Sequence, residues 1–331
     1  MRGPDEAELH AGRPLPDRTD HLKSRRLNIV SDITHIGFLG LGNMGAAIAL
    51  RLIHPGSTLH VFDPNPEAVR PLVEAGAIAH PSPRSVADAA TIVLACLPNS
   101  DVCESVLFGQ DGVVAGKAVR TYIEMSTLGP TVVSSNAKRL AASNIATTDA
   151  PVSGGPAAAR AGTLSIMLSG NDDVVATAMP WLTLIAKKIC RLGEQPGQAQ
   201  AMKLVNNIML AANMAVASEA LTIGAKAGLD ADAMIEVIRS STGHSAAADI
   251  LARFAICGAF DFGAHMSIVA KDVELAIAEA NALDVPVPVL NEARSLWHGA
   301  IEEGRGSDDF TSILKIVEAR GGVTVRGVPR R

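Results

Sequence analysis

From residue 33 onward, short apolar runs alternate with segments whose apolar positions recur at helical spacing. The runs at 33–39, 58–62, 91–97, 121–125, 145–150 and 163–168 have strand length. The segments at 44–53, 66–75, 101–107 and 131–142 between them read as helices. This alternation predicts a parallel sheet covered by helices on both faces. After Gly197 the strand pattern stops. Positions 199–227 form one long helical pattern with Gly228 placed to end it, and 232–239, 246–254, 267–283 and 289–303 read as further helices. The first of these would span about 45 Å, more than a small domain covers alone. The expected fold class is therefore α/β, an N-terminal Rossmann-type doubly wound sheet followed by an all-α C-terminal domain. The expected domains are a sheet domain over 33–196 and a helical domain over 197–320, the long helix lying between them.

The ends differ from this pattern. Residues 1–32 carry six acidic and six basic side chains with no apolar core, so they fit neither a signal peptide nor an acid-poor transit peptide. They read as a flexible tail, and 321–331 as a second loose end. The chain of 331 residues has room for roughly two domains of about 150 residues, and 48% hydrophobic against 19% charged residues supplies a sizeable core. With 3% aromatic residues and a net charge of −5 there is no footprint for nucleic acid. Cys96, Cys103, Cys190 and Cys257 form no CxxC pair, so reduced thiols in a cytoplasmic protein are expected, with neither disulfide nor metal. Asn213, Ser218 and Glu219 interrupt the greasiest stretch, which reads as a buried helix rather than a membrane span. Its apolar flanks point to burial against a second copy, in a homodimer or homotetramer.

The sharpest local signal is Gly40-Leu41-Gly42-Asn43-Met44-Gly45, which follows a strand and opens a helix, with Asp63 closing the next strand. Glycines allow the tight turn and close backbone approach, while the helix start faces a pyrophosphate. Asp63 would accept from the adenosine ribose hydroxyls and repel a 2′-phosphate, which favours NAD over NADP. Pro64 stands where a phosphate-binding Arg would otherwise sit. The alternative role for Asp63 is a helix N-cap before Pro64 and Pro66.

Downstream, Asp149-Ala150-Pro151-Val152-Ser153-Gly154-Gly155 combines free backbone N–H groups with a hydroxyl, suited to a small carboxylate; it is equally a structural Gly-Gly turn. Lys203 and Asn207 stand one helical turn apart in apolar surroundings. Desolvation there would lower the lysine pKa toward a value useful for proton transfer. Lys271-Asp272 sits in a later helix, where spacing alone favours an exposed charge pair. The polar turn around His244 either lines the far end of a pocket, favouring a hydroxylated or charged substrate tail over a plain methyl, or is a solvated turn with Ser245 as the next N-cap.

Taken together, the loop IGFLGLGNMG, Leu97-Pro98, Ser126-Thr127, DAPVSGG, the 197–207 helix start and Lys271-Asp272 resemble the β-hydroxyacid dehydrogenase family across nearly the whole chain beyond the tail. The resemblance implies hydride transfer between a nicotinamide and a small β-hydroxyacid or semialdehyde. It implies Leu97 and Pro98 beside the cofactor, Thr127 near the nicotinamide, and Ser153, Gly154 and Gly155 on the substrate carboxylate. Lys203 then corresponds to the family's catalytic lysine, Asn207 to a substrate-orienting amide, and Lys271 to a cofactor contact. Other chemistries fit poorly. Pro151 breaks a G-x-S-x-G elbow, Ala118 after Gly116-Lys117 breaks a Walker loop, and no HExxH occurs. Two alternatives keep the fold: a cofactor sensor without turnover, for which Lys203 and Asn207 would be superfluous, and an imine-type reductase, whose members usually replace the lysine.

Overall fold

The computed structural model describes Thr34–Gly327, so the expected tail over 1–32 and the end beyond Gly327 lie outside the described residues. The chain begins β1(Thr34–Leu39), α1(Asn43–Leu52), β2(Ser57–Phe62), α2(Pro66–Glu74), β3(Ile78–Ala79), α3(Pro83–Ala89), β4(Ile92–Ala95), α4(Ser100–Phe108), β5(Thr121–Glu124), α5(Pro130–Ala142) and β6(Ala146–Asp149). It continues β7(Val152–Ser153), α6(Gly155–Ala161), β8(Leu164–Gly170), α7(Asp172–Leu182) and β9(Ala186–Gly193). Helices alone follow: α8(Gln198–Lys226), α9(Ala231–Arg239), α10(Ala246–Ile250), α11(Met266–Ala282), α12(Pro288–Glu302) and α13(Ile313–Gly321).

The strand order is β3-β2-β1-β4-β5-β6-β8-β7, with β9 on β8. Strands β1 to β6 are parallel, and the order reverses between β1 and β4, the crevice where such sheets bind ligands. Central strands covered on both faces must be apolar throughout, and β4, Ile-Val-Leu-Ala, is buried at every residue. The all-parallel expectation is corrected at β8, which runs antiparallel to β6 and β7. The Gly154–Gly155 turn and short α6 reverse the chain before β8. Strand β9 is largely exposed and carries Lys187, Lys188 and Arg191, so it lacks the apolar run that would announce it.

In the helical part, α8 is the spine against which α10, α11, α12 and α13 pack. Its inner residues Ala211, Met214 and Leu221 are fully buried, while Met209, Val216 and Ile223 on the other side are exposed. By length and composition α8 could cross a membrane. The single helix expected over 246–254 is α only to Ile250, then widens to a π turn over Leu251–Ala255. The loose end expected from 321 is also corrected up to Gly327. Val325 is fully buried in the helical core, its N–H bonds Glu318 Oε1 at 2.6 Å, and Arg326 pairs with the same carboxylate at 2.9 Å. Val323 and Val325 around a threonine are too short a run to announce an ordered segment, yet burying Val325 holds it.

A histidine chain crosses the sheet edge. His60 Nε2 lies 2.9 Å from His35 Nδ1, and His60 Nδ1 lies 2.8 Å from His80 Nε2. Burial first, then His80 and His35, hold His60 down at a pKa of about 4, against 6.5 ordinarily. The folded state thus binds its proton less readily than the unfolded chain, so this contribution is complete above pH 6.5 and is lost as pH falls toward about 4. Thermal melts between pH 7 and 4 should show a shallower acid loss for His60→Phe than for the wild type. Identical slopes would remove His60 as a cause.

Candidate active site

The loop after β1 enters the crevice, and Asp63 at the end of β2 braces it. Asp63 Oδ2 accepts from the Leu41 N–H at 2.7 Å, and its Oδ1 accepts from the Asn65 N–H at 2.8 Å. The α2 cap is Asn65, whose side chain accepts from the Glu67 N–H, so the N-cap alternative for Asp63 is set aside. Gly45 lets α1 lie against the loop, because a Cβ there would sit 1.9 Å from the Gly40 carbonyl oxygen. At Gly42 a Cβ would meet nothing within 4 Å, and α1 starts with no side-chain cap. That open, uncapped helix start fits the pyrophosphate of a dinucleotide. Asn43 reaches the Gly263 carbonyl, and half-buried Met44 packs into the sheet core. Beside Asp63 lies a cavity of about 390 Å³ that Arg70, Val73, Ala79 and His80 also line.

Across the crevice, buried Leu97 follows β4, and exposed Pro98 comes next. The Leu97 N–H donates to Ser126 Oγ at 2.7 Å, and the Ser126 N–H to Glu124 Oε1 at 2.8 Å. Glu124 also accepts from the Tyr122 hydroxyl at 2.8 Å and faces the Cys103 thiol. Burial raises the Glu124 pKa, while the bonds from Ser126, Tyr122 and Cys103 oppose the shift. Burial also pushes the Cys96 thiol up to about 12, with Glu124 adding to it, so Cys96 is no thiolate nucleophile.

The start of α8 brings the polar groups of the helical part to this place. Asp149 Oδ2 accepts from the Gln200 N–H at 3.0 Å, its Oδ1 takes the Ser169 hydroxyl, and Ser169 Oγ accepts from the Ala199 N–H at 2.9 Å. One turn on, buried Lys203 donates from Nζ to the Val152 carbonyl at 2.7 Å, next to half-buried Ser153. Asn207 Nδ2 donates to Asp272 Oδ2 at 2.6 Å. Lys271 Nζ donates to the Thr127 carbonyl at 2.6 Å and stands 3.2 Å from Asp272 Oδ1. The exposed pair that spacing suggested at 271–272 is therefore corrected, because Asp272 is only 4% exposed. Gly154 and Gly155 both have positive φ, so the turn itself requires them. Phe262 closes over Gly155.

Leu97, Thr127, Asn207 and Lys271 are thus joined through the 126–127 segment and Asp272, while Lys203 on the same helix as Asn207 bonds the carbonyl next to Ser153. His244 is not among them: exposed, it pairs with Asp249 at 2.8 Å, and Ser245 caps α10. Gln200, Glu124 and Ser169 carry no role predicted from sequence, and Asp149 and Asp272 enter there only as members of the DAPVSGG motif and of an exposed charge pair. The available signal was a carboxylate closing the buried strands β5 and β6, since a buried charge needs partners.

Burial lowers the Lys203 pKa, Lys271 adds to that, and Asp272 opposes it. A buried helix-borne amine with a lowered pKa, in a chain that also carries an open dinucleotide-type loop, suits a nicotinamide-dependent oxidoreductase. The comparisons with known proteins agree. Residues 35–193 match the family described as the NAD binding domain of 6-phosphogluconate dehydrogenase. Residues 197–317 match the one described as NAD-binding of NADP-dependent 3-hydroxyisobutyrate dehydrogenase. The chain is 37% identical over 294 residues to 2-(hydroxymethyl)glutarate dehydrogenase of Eubacterium barkeri, covering 88% of this chain and 97% of that one. It is 35% identical over 300 residues to 3-hydroxyisobutyrate dehydrogenase of Pseudomonas aeruginosa, covering 87% and 100%. The crystal structure of 3-hydroxyisobutyrate dehydrogenase from Salmonella typhimurium superposes with a TM-score of 0.77 at 28% identity, covering 86% and 99%. The chain belongs to the β-hydroxyacid dehydrogenase family, and it is an NAD(P)-dependent oxidoreductase acting on hydroxyacids.

Asp272→Asn removes the charge that opposes desolvation of Lys203, so the lysine should titrate at lower pH than in the wild type. NMR of protein labelled at the lysine ε-carbon reads this directly. An unchanged or higher midpoint would mean that Asp272 is not the opposing charge.

Proposed function

We propose that this enzyme interconverts a small β-hydroxyacid and its semialdehyde with NAD as the preferred cofactor and Lys203 as the general acid–base. The observation that carries the reading is the desolvated Lys203 amine, held beside Ser153 and one turn from Asn207. The relatives' names, 2-(hydroxymethyl)glutarate and 3-hydroxyisobutyrate, share a hydroxymethyl group on the carbon next to a carboxylate. That unit fits a site offering a hydroxyl and backbone N–H groups at Ser153, Gly154 and Gly155, and an amine nearby for the alcohol.

When bound, the nicotinamide takes or gives the hydride. In oxidation, neutral Lys203 accepts the hydroxyl proton; in reduction, protonated Lys203 returns it. Asn207, oriented by Asp272, directs its amide to the substrate, and the ammonium of Lys271 fixes Thr127 at the nicotinamide end. Gly40 to Gly45, with Leu97 and Pro98, hold the cofactor. Asp63 supports NAD over NADP because its carboxylate would face a 2′-phosphate. Arg70 lines the same cavity but is paired with Glu67 at 2.7 Å.

Absorbance at 340 nm with NAD⁺ and NADP⁺, against 3-hydroxyisobutyrate, glycerate, threonate and 2-(hydroxymethyl)glutarate, tests the reading. Turnover should be faster with NAD⁺, and Lys203→Ala should lower kcat by about 10²–10⁴-fold. A Lys203→Ala enzyme that keeps most of its turnover would overturn the acid–base role, and faster turnover with NADP⁺ the cofactor preference.

The outer face of α8, with Met209, Val216 and the 70% exposed Ile223, supports a homo-oligomer built on this helix. Sedimentation should show a dimer or tetramer, which Val216→Glu with Ile223→Glu would dissociate. A monomeric wild type would end this proposal.

A further inference from the structure

Gln200 is fully buried and sits three residues before Lys203, on the same side of α8. Its carboxamide does not point along its own helix. Oε1 accepts from the N–H groups of Leu128 at 3.1 Å and Gly129 at 3.3 Å, and Nε2 donates to the Ser126 carbonyl at 2.8 Å. One side chain therefore grips the chain on both sides of Thr127. The amide can sit only one way round, because a flip would turn its NH₂ group against two N–H donors and its oxygen against a carbonyl. Around it the frame is fixed independently: Asp149 holds the Gln200 N–H, Glu124 holds Ser126, and Lys271 holds the Thr127 carbonyl.

We propose that Gln200 is a positioning residue, whose carboxamide sets the gap between the helix carrying Lys203 and the segment carrying Thr127. The inference rests on the reading that Lys203 exchanges the proton and Thr127 borders the nicotinamide. Two rigid elements meet here, and misplacing the reacting groups by about 1 Å costs on the order of 100-fold in rate. A fully buried amide satisfying three backbone groups is a short and stiff link between them. It touches neither proton nor hydride, so its effect is on geometry.

Gln200→Glu is the informative variant, because it keeps the shape. A protonated carboxyl donates to the Ser126 carbonyl and accepts from the two N–H groups, as the amide does. An ionised one sets a negative oxygen against that carbonyl. Turnover of Gln200→Glu should be close to wild type at pH 6 and should fall reversibly, relative to wild type, as pH rises to 8.5. Gln200→Ala should lower kcat by about 10- to 100-fold at all pH values, with substrate KM little changed. Amide hydrogen exchange, which needs no activity, should speed up by about tenfold at Leu128 and Gly129 in Gln200→Ala.

Faster exchange at those amides with kcat unchanged would overturn the positioning role. So would a pH-independent loss in Gln200→Glu that matches its loss of melting temperature. If Gln200→Ala does not fold, the pH profile of Gln200→Glu decides alone. Lys203→Ala run in parallel separates the two ideas. Full turnover there removes the acid–base reading, while the exchange and pH data still decide whether Gln200 sets the gap.

Discussion

The site depends first on where α8 begins. The N–H groups of a helix's first turn have no partners within the helix, and its aligned peptide dipoles place partial positive charge there. Here that end is driven into the sheet, where the buried Asp149 carboxylate and Ser169 hydroxyl receive the Gln200 and Ala199 N–H groups. Burial raises the Asp149 pKa, and bonds from Ser169, Gly197 and Gln200 hold it back. The result is a rigid joint between β6, β8 and the helical part. Once the joint is made, helical geometry alone decides what comes next. Gln200, Lys203 and Asn207 rise on one side at intervals of three and four residues, meeting in turn the 126–129 segment, Val152 and Asp272.

The second constraint is that almost every polar group in this frame is out of water. An unpaired buried N–H or carbonyl costs about 1–3 kcal/mol, so each must have a partner, and those partners dictate geometry. Ser126 is bonded through its N–H, its carbonyl and its hydroxyl, to Glu124, Gln200 and Leu97 respectively. A residue held at three points has no room to drift, and neither does Thr127 beside it. Carboxylates outside the proposed proton exchange thereby fix the frame around Lys203 and Thr127.

Much of this architecture is legible in the sequence. Apolar runs of strand length, the Gly40–Gly45 loop and the unbroken helical period of α8 reflect strong local rules, and these elements stand where the pattern put them. What escaped depends on distant partners. Strand β9 is exposed and charged, and β8 runs antiparallel after the reversal through Gly154–Gly155 and α6. The segment around Val325 is held by that buried side chain and by the Glu318 carboxylate seven residues earlier. Within the site, Lys203 and Asn207 were visible because four residues make one turn. Gln200 lay in the same motif, but its partners are 71 to 74 positions away in sequence, which no periodicity reports. His244 shows the converse: a polar residue in a glycine-containing turn invites a functional role, and Asp249 takes up its ring nitrogen on the surface.

Opposing influences act on the lysine at the centre. Burial removes water from the ammonium and so favours the neutral amine. Lys271 acts in the same direction, while Asp272 pulls the other way. Asp272 reaches no direct bond with Lys203. Its oxygens face Asn207 and Lys271, so its charge steadies the lysine without locking it into an ion pair. A direct buried pair would raise the lysine pKa further, and burial without Asp272 would lower it further. The role proposed for Lys203, accepting a proton in one direction of the reaction and returning it in the other, needs both forms within reach. A charge held near the amine without a direct bond suits that role.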